Sequence, residues 1–148
     1  MQMKQLPASD YSREVKAIFI VYSICFLIGT YTHAAGLVRH GFLAFPVPLA
    51  IGICWDALTL IDPLTVMLLR WKPKVGTRLA LLVVASDICV NGGYLAGCFG
   101  PPVPGMVPLT LFEQALFGLF VFVTGPVAYH SLRTHRVKLR NAATGSAT

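Results

Sequence analysis

Hydrophobic residues run almost without interruption through four segments, approximately Lys16–Val38, Pro46–Leu69, Arg78–Cys98 and Pro108–Leu132. Each is close to the ~20 residues that a helix needs to cross a bilayer. The stretches between them are short; only residues 97–108, rich in proline and glycine, form a long irregular connection. The pattern predicts an all-α, integral-membrane four-helix bundle, one domain over residues 1–140, with a disordered tail at 141–148. Ser9 or Asp10 is the expected N-cap of the first helix, and Pro46 and Pro48 suit the first turn of the second. The run Trp71–Gly76 reads as a turn carrying an interfacial tryptophan.

Polar positions inside these segments change the picture. Of six acidic residues, Asp56, Asp62, Asp87 and Glu113 fall within the expected spans. A carboxylate at the centre of a membrane helix costs about 2.5–3.5 kcal/mol even on the lenient insertion scale, and such groups face a protein interior or a wet cavity. At ~1.5 Å rise per residue, Asp56 lies ~15 Å into its helix and Asp87 at similar depth, which makes them a matched midplane pair. His33, Asn91, Glu113 and Gln114 fall in the same half of the bundle as that pair. Asp87, Asn91 and Tyr94 share one helix face, and so do Asp56, Thr59 and Pro63. Asp62, six residues beyond Asp56, is expected outside that site, as a partner of the kink that Pro63 makes by denying the Thr59 carbonyl its donor. Narrow seams (Tyr22, Cys25, Gly29, His33 and Gly36 in the first helix, Gln114, Gly118 and Gly125 in the fourth) predict close helix approach.

Composition and charge set the environment. The chain has 148 residues, of which 12% are charged, against roughly 25% in a soluble domain. Its net charge of +6 is not a nucleic-acid signal, because the basic residues are sorted. Lys4, Arg13, Lys16, Arg70, Lys72, Lys74, Arg78, Arg133, Arg136, Lys138 and Arg140 fall on one side of the expected topology, and Arg39 alone on the other. The positive-inside rule then predicts both termini in the cytoplasm, with a retained first helix and no cleaved signal, in a bacterial inner membrane. A role for this basic side in meeting anionic lipid headgroups follows from the same distribution.

The chemistry open to these residues is limited. Cys25, Cys54, Cys89 and Cys98 show no C-x-x-C spacing, and the first three are expected to be buried and inert. No His/acid pair has the i, i+3 or i, i+4 spacing of di-metal bundles, and the histidines do not face one another as haem ligands would. No cofactor is expected. Three functional classes remain. The first is a pocket for a small amphipathic or lipid-like ligand, with Asn91, Glu113, Gln114, Trp55, Thr59 and Tyr94 as binding residues. Proton transfer of the isomerase type through Asp56, Asp87 or His33 belongs with it. The second is a proton- or ion-coupled carrier, which with four helices calls for a homo-oligomer. The third is a non-catalytic assembly subunit whose acids hold helices together.

The block Cys54-Trp55-Asp56-Ala57-Leu58-Thr59-Leu60-Ile61-Asp62-Pro63-Leu64, with Ser86-Asp87-Ile88 and Asn91, resembles a small bacterial integral-membrane family of uncharacterised function. The layout also resembles the EXPERA group of four-helix sterol isomerases and sterol-binding receptors. In that group an acid precedes a proline in helix two, as Asp56 precedes Pro63, and polar residues stand in the neighbouring helices, where Asp87 matches. The resemblance implies a ligand of lipid character and leaves the reaction open.

Overall fold

A computed structural model of the chain describes residues 11–98 and 108–145. It contains four helices, α1 (Arg13–His40), α2 (Leu49–Trp71), α3 (Pro73–Leu95) and α4 (Pro108–Gly145). All four are long and apolar enough to cross a membrane, the pattern of a multi-pass membrane protein. They alternate in direction, and α4 packs against both α3 and α1 to close the bundle. Arg13, Lys16, Arg70, Lys72, Lys74, Arg78 and Arg133 thereby gather at one end, the basic end. The α1–α2 connector, with Arg39 beside it, lies at the other.

Local chemistry sets the helix limits. α1 starts at Arg13, where the Ser12 side chain accepts from the Val15 N–H at 3.4 Å and Glu14 lies in the first turn. The cap is thus Ser12, not Ser9 or Asp10; the latter two lie outside the described residues. α1 ends at His40, and Gly41 at φ 89 donates its N–H to the Leu37 carbonyl. Only glycine takes that backbone geometry without strain. α2 begins at Leu49, after both prolines of the connector. The expected six-residue turn at Trp71–Gly76 contracts to Lys72 alone, because α2 runs through Trp71 and Pro73 occupies the first turn of α3. Proline opens a helix well, since its φ is preset and its missing N–H would have had no partner there. α4 continues to Gly145, past the Arg140 at which a disordered tail was expected.

Gly76 makes this hairpin possible. A Cβ there would lie 2.6 Å from the Leu68 carbonyl carbon and 2.7 Å from the Leu69 Cα, so the first turn of α3 rests directly on the α2 backbone. In α4, a Cβ on Gly118 would collide with Ile88, and one on Gly125 would sit 3.1 Å from Leu81. Gly29 serves α1 in the same way, whereas Gly36 has nothing within 4 Å. Lipid tails are as apolar as leucine, so these close approaches and the polar contacts hold helices together where the hydrophobic effect does not.

The main core joins Tyr22, Phe26, Leu58, Leu69, Ala80, Val83, Val84 and Val121. Tyr22 is its centre: Phe117 and Phe120 meet its ring edge-on, and its hydroxyl lies 3.1 Å from the Val121 carbonyl and 2.8 Å from Thr124 Oγ1. A smaller cluster of Ile51, Trp55 and Tyr94 stands nearer the connector. The lateral surface is apolar, with Ile20, Ile24, Leu60, Leu82, Leu119 and Val123 all exposed. Cys54 and Cys89 also lie on the outside of the bundle, and only Cys25 is half-buried. The buried role expected of the mid-span cysteines therefore fails for those two, whose helix faces point away from the core.

Candidate functional site

Along α3, Asp87 and Asn91 lie between Val84 of the main core and Tyr94 of the smaller one. Their four-residue spacing puts both on the inner face, where α2 and α4 complete a closed set of hydrogen bonds. Asn91 Nδ2 donates to Asp87 Oδ1 and to Gln114 Oε1, both at 2.9 Å. Gln114 Nε2 donates to Asp87 Oδ2. Trp55 Nε1 donates to Asn91 Oδ1 at 2.9 Å, which ties in α2. Three helices thus meet on Asn91, whose oxygen and both N–H groups are all used. Trp55 is held by edge-on contacts from Tyr94 at 5.5 Å and Phe45 at 5.9 Å.

The acids separate in an unexpected way. Asp62, expected outside the site, is 4% exposed and faces the bundle centre. It belongs to the buried stripe Ile51, Trp55, Leu58, Asp62, Thr65 and Leu69. Its Oδ2 lies 2.6 Å from where a Gly29 Cβ would be, so the carboxyl group rests against the α1 backbone. Asp56, expected to pair with Asp87, instead accepts the Leu43 N–H at 2.8 Å through Oδ2. Leu43 has φ 54, a left-handed conformation that a leucine adopts only under constraint. Asp56 therefore pins the connector to α2, one helix face away from the Asp62 stripe. His33 is half-buried on α1.

Replacing Asp56 by alanine should leave the Leu43 N–H without its acceptor and cost about 1–3 kcal/mol, whereas Asp56→Asn keeps an acceptor oxygen. Thermal unfolding in detergent should separate the two variants. Equal melting temperatures would show that the contact contributes nothing.

A crevice of about 250 Å³ opens between α2 and α3. Cys54, Ala57 and Ile61 form one wall and Leu82, Ser86 and Val90 the other, with Trp55 and Asp87 also lining it. Asp87 thus has two faces: Asn91 and Gln114 hold its oxygens from the core, and the crevice reaches it from the side. Of the other expected binding residues, Trp55 lines the crevice, Tyr94 braces Trp55, and Glu113 is exposed on α4. Thr59 contributes no crevice wall, and its hydroxyl is enclosed without a hydrogen-bond partner. Sequence reasoning missed Ala57 and Ser86 as crevice residues and Asp62 as a central one. The i, i+3, i+4 spacing of the α2 stripe was the signal available for Asp62.

Among the described residues, no three His, Cys, Asp or Glu side chains converge as a metal site requires. No protein-family model matches the chain, and no curated protein or solved structure matches it.

Proposed function

We propose that this multi-pass protein binds a small amphipathic or lipid-like ligand in the α2–α3 crevice, with the polar head of the ligand at Asp87. The observation that carries the reading is an apolar cleft with one carboxyl group in its lining, on a bundle whose sides are apolar throughout. Binding sites of this kind are largely apolar, with a few placed polar groups that fix orientation. The amide donors of Asn91 and Gln114 hold the carboxyl group in place before any ligand arrives, which lowers the cost of ordering it on binding. The volume is slightly below the ~300–1,000 Å³ of drug-sized pockets, so it suits a short chain or small ring, or the first carbons of a longer lipid. A head group that donates hydrogen bonds suits Asp87, and an anionic one does not. The one-sided basic distribution supports an inner-membrane location with both termini cytoplasmic.

Thermal unfolding in detergent with added dodecylamine, dodecanol or laurate tests the reading. The amine and the alcohol should stabilise the wild type saturably, and laurate should not. Ala57→Phe, which fills the crevice from α2, should remove the effect while leaving the unliganded protein folded. No stabilisation by any of the three, or stabilisation that Ala57→Phe leaves intact, would refute the crevice as the binding site.

A further inference from the structure

At the basic end of the bundle, an arginine is held by an aromatic ring across two helices. The Arg78 guanidinium of α3 lies over the Tyr129 ring of α4, 5.0 Å from its centre, and donates to the Tyr129 hydroxyl. A guanidinium carries five N–H donors, so one bond to a phenol leaves most of them open. Tyr129 accepts through its oxygen and keeps its own O–H to donate. Arg78 is exposed, yet ring and hydroxyl together fix its planar head in place.

Two further cations flank this contact through the register of α3 and α4. Ile88 meets Gly118 and Leu81 meets Gly125; seven residues further along each helix, Lys74 comes level with Leu132. A seven-residue step returns to the same side of a helix facing its partner. Leu132 is buried, and Arg133 follows it at the exposed rim, one turn beyond Tyr129. Lys74, half-buried, lies one turn from Arg78 on its own helix. Each of α3 and α4 carries a single acid, Asp87 and Glu113, in the other half of the bundle. No carboxylate on these two helices therefore offsets the three charges, and like charges at this spacing repel. Trp71, 60% exposed at the same end, marks the level of the lipid headgroups, where such indoles collect.

We propose that Lys74, Arg78 and Arg133 form a binding site for the phosphate of one anionic phospholipid, seated on the seam between α3 and α4. The open edge of the Arg78 guanidinium takes two phosphate oxygens in the paired geometry that arginine favours. Lys74 and Arg133 add charge one turn nearer the end of the bundle, and the Tyr129 hydroxyl is a neutral donor beside them. Because Tyr129 already orders Arg78, less freedom is lost when the lipid binds. Phe122, seven residues before Tyr129 and 44% exposed, gives the acyl chains an apolar path on the same side of α4. That path distinguishes a lipid from a free phosphate ion. The bound anion relieves the repulsion among the three cations, so it ties α3 to α4. The site faces α4 and the crevice faces α2, so each stands without the other.

Thermal unfolding of the full chain in a neutral detergent at physiological salt, with added phosphatidylglycerol, tests the site. The wild type should be stabilised saturably. Phosphatidylcholine of the same chains, whose choline adds a cation, should not match that effect, and neither should inorganic phosphate. Arg78→Gln and Arg133→Gln should each weaken the apparent affinity about tenfold, as the loss of a charge-assisted hydrogen bond implies. Arg70→Gln removes the same charge from α2 at the same end and should change it by less than about twofold. If Arg78→Gln fails to fold, Arg133→Gln decides the question, since its side chain is exposed. No stabilisation by phosphatidylglycerol, equal stabilisation by phosphatidylcholine or inorganic phosphate, or equal weakening by Arg70→Gln would overturn the proposal.

Discussion

Gly76→Ala is expected to destabilise the α2–α3 hairpin more than any other single change considered. The added Cβ would meet the carbonyl carbon of Leu68 at 2.6 Å and the Cα of Leu69 at 2.7 Å. These are backbone atoms within a helix, so no side-chain rotation relieves the overlap. Gly76 has no left-handed φ, so space alone is at issue. Overpacking typically costs 1–3 kcal/mol and occasionally more, and here the two helices must separate along the shortest connection in the fold. Alanine recovers at most about 1 kcal/mol of helix propensity. We expect a net loss of about 3 kcal/mol, a fall in Tm of roughly 10 °C at the ~2–4 °C per kcal/mol of a chain this size. Gly92→Ala is the control. A Cβ there meets nothing within 4 Å, so the same change should be neutral or stabilising. Indistinguishable melting curves for the two variants would rule out the direct α2–α3 contact.

Asn91→Leu should have the next largest effect. Leucine has the same branched four-heavy-atom side chain as asparagine, with methyl groups in place of the amide oxygen and nitrogen, so shape is largely kept and hydrogen bonding is lost. Trp55 Nε1, Asp87 Oδ1 and Gln114 Oε1 each lose a partner at 2.9 Å. Side-chain hydrogen bonds in membrane proteins average about 0.6 kcal/mol and reach about 1.7. Three lost together, with buried groups left unpaired, come to roughly 2–4 kcal/mol. Intrinsic fluorescence gives a second measure, because Trp55 is buried while Trp71 is 60% exposed. Freed from Asn91, the Trp55 indole should change its emission. An unaltered spectrum together with an unaltered Tm would mean that Asn91 does not link the three helices.

Much of the site could be read along single helices. Asp87, Asn91 and Tyr94 share a face through spacing alone, and all three are found where that spacing puts them. Gln114 joins them from α4 at the depth that helical rise predicts. The α2 acids were harder. Depth favoured Asp56 as the partner of Asp87, but depth does not say which way a side chain turns. The stripe Ile51, Trp55, Leu58, Asp62, Thr65 and Leu69 does, and an aspartate in it was hard to recognise as an interior position because the rest of the span is apolar on every side. Hydropathy cannot separate a core-facing face from a lipid-facing one when both are greasy.

The α1–α2 connector was beyond sequence reasoning for another reason. The Leu43 N–H reaches Asp56, thirteen residues on, only because the connector turns back along α2 at a left-handed leucine. Nothing in the local composition marks that residue for such a conformation.

By itself, the sequence determined four apolar spans, their alternation and the gathering of basic residues at one end. These are sums over contiguous residues, and a bilayer responds to such sums. The tertiary structure alone decided what each acid meets. That outcome depends on helix rotation and on how closely backbones approach, and both are set by contacts between distant positions: Gly29 admitting Asp62, Gly76 seating α3 on α2, and Asn91 joining Trp55 to Gln114.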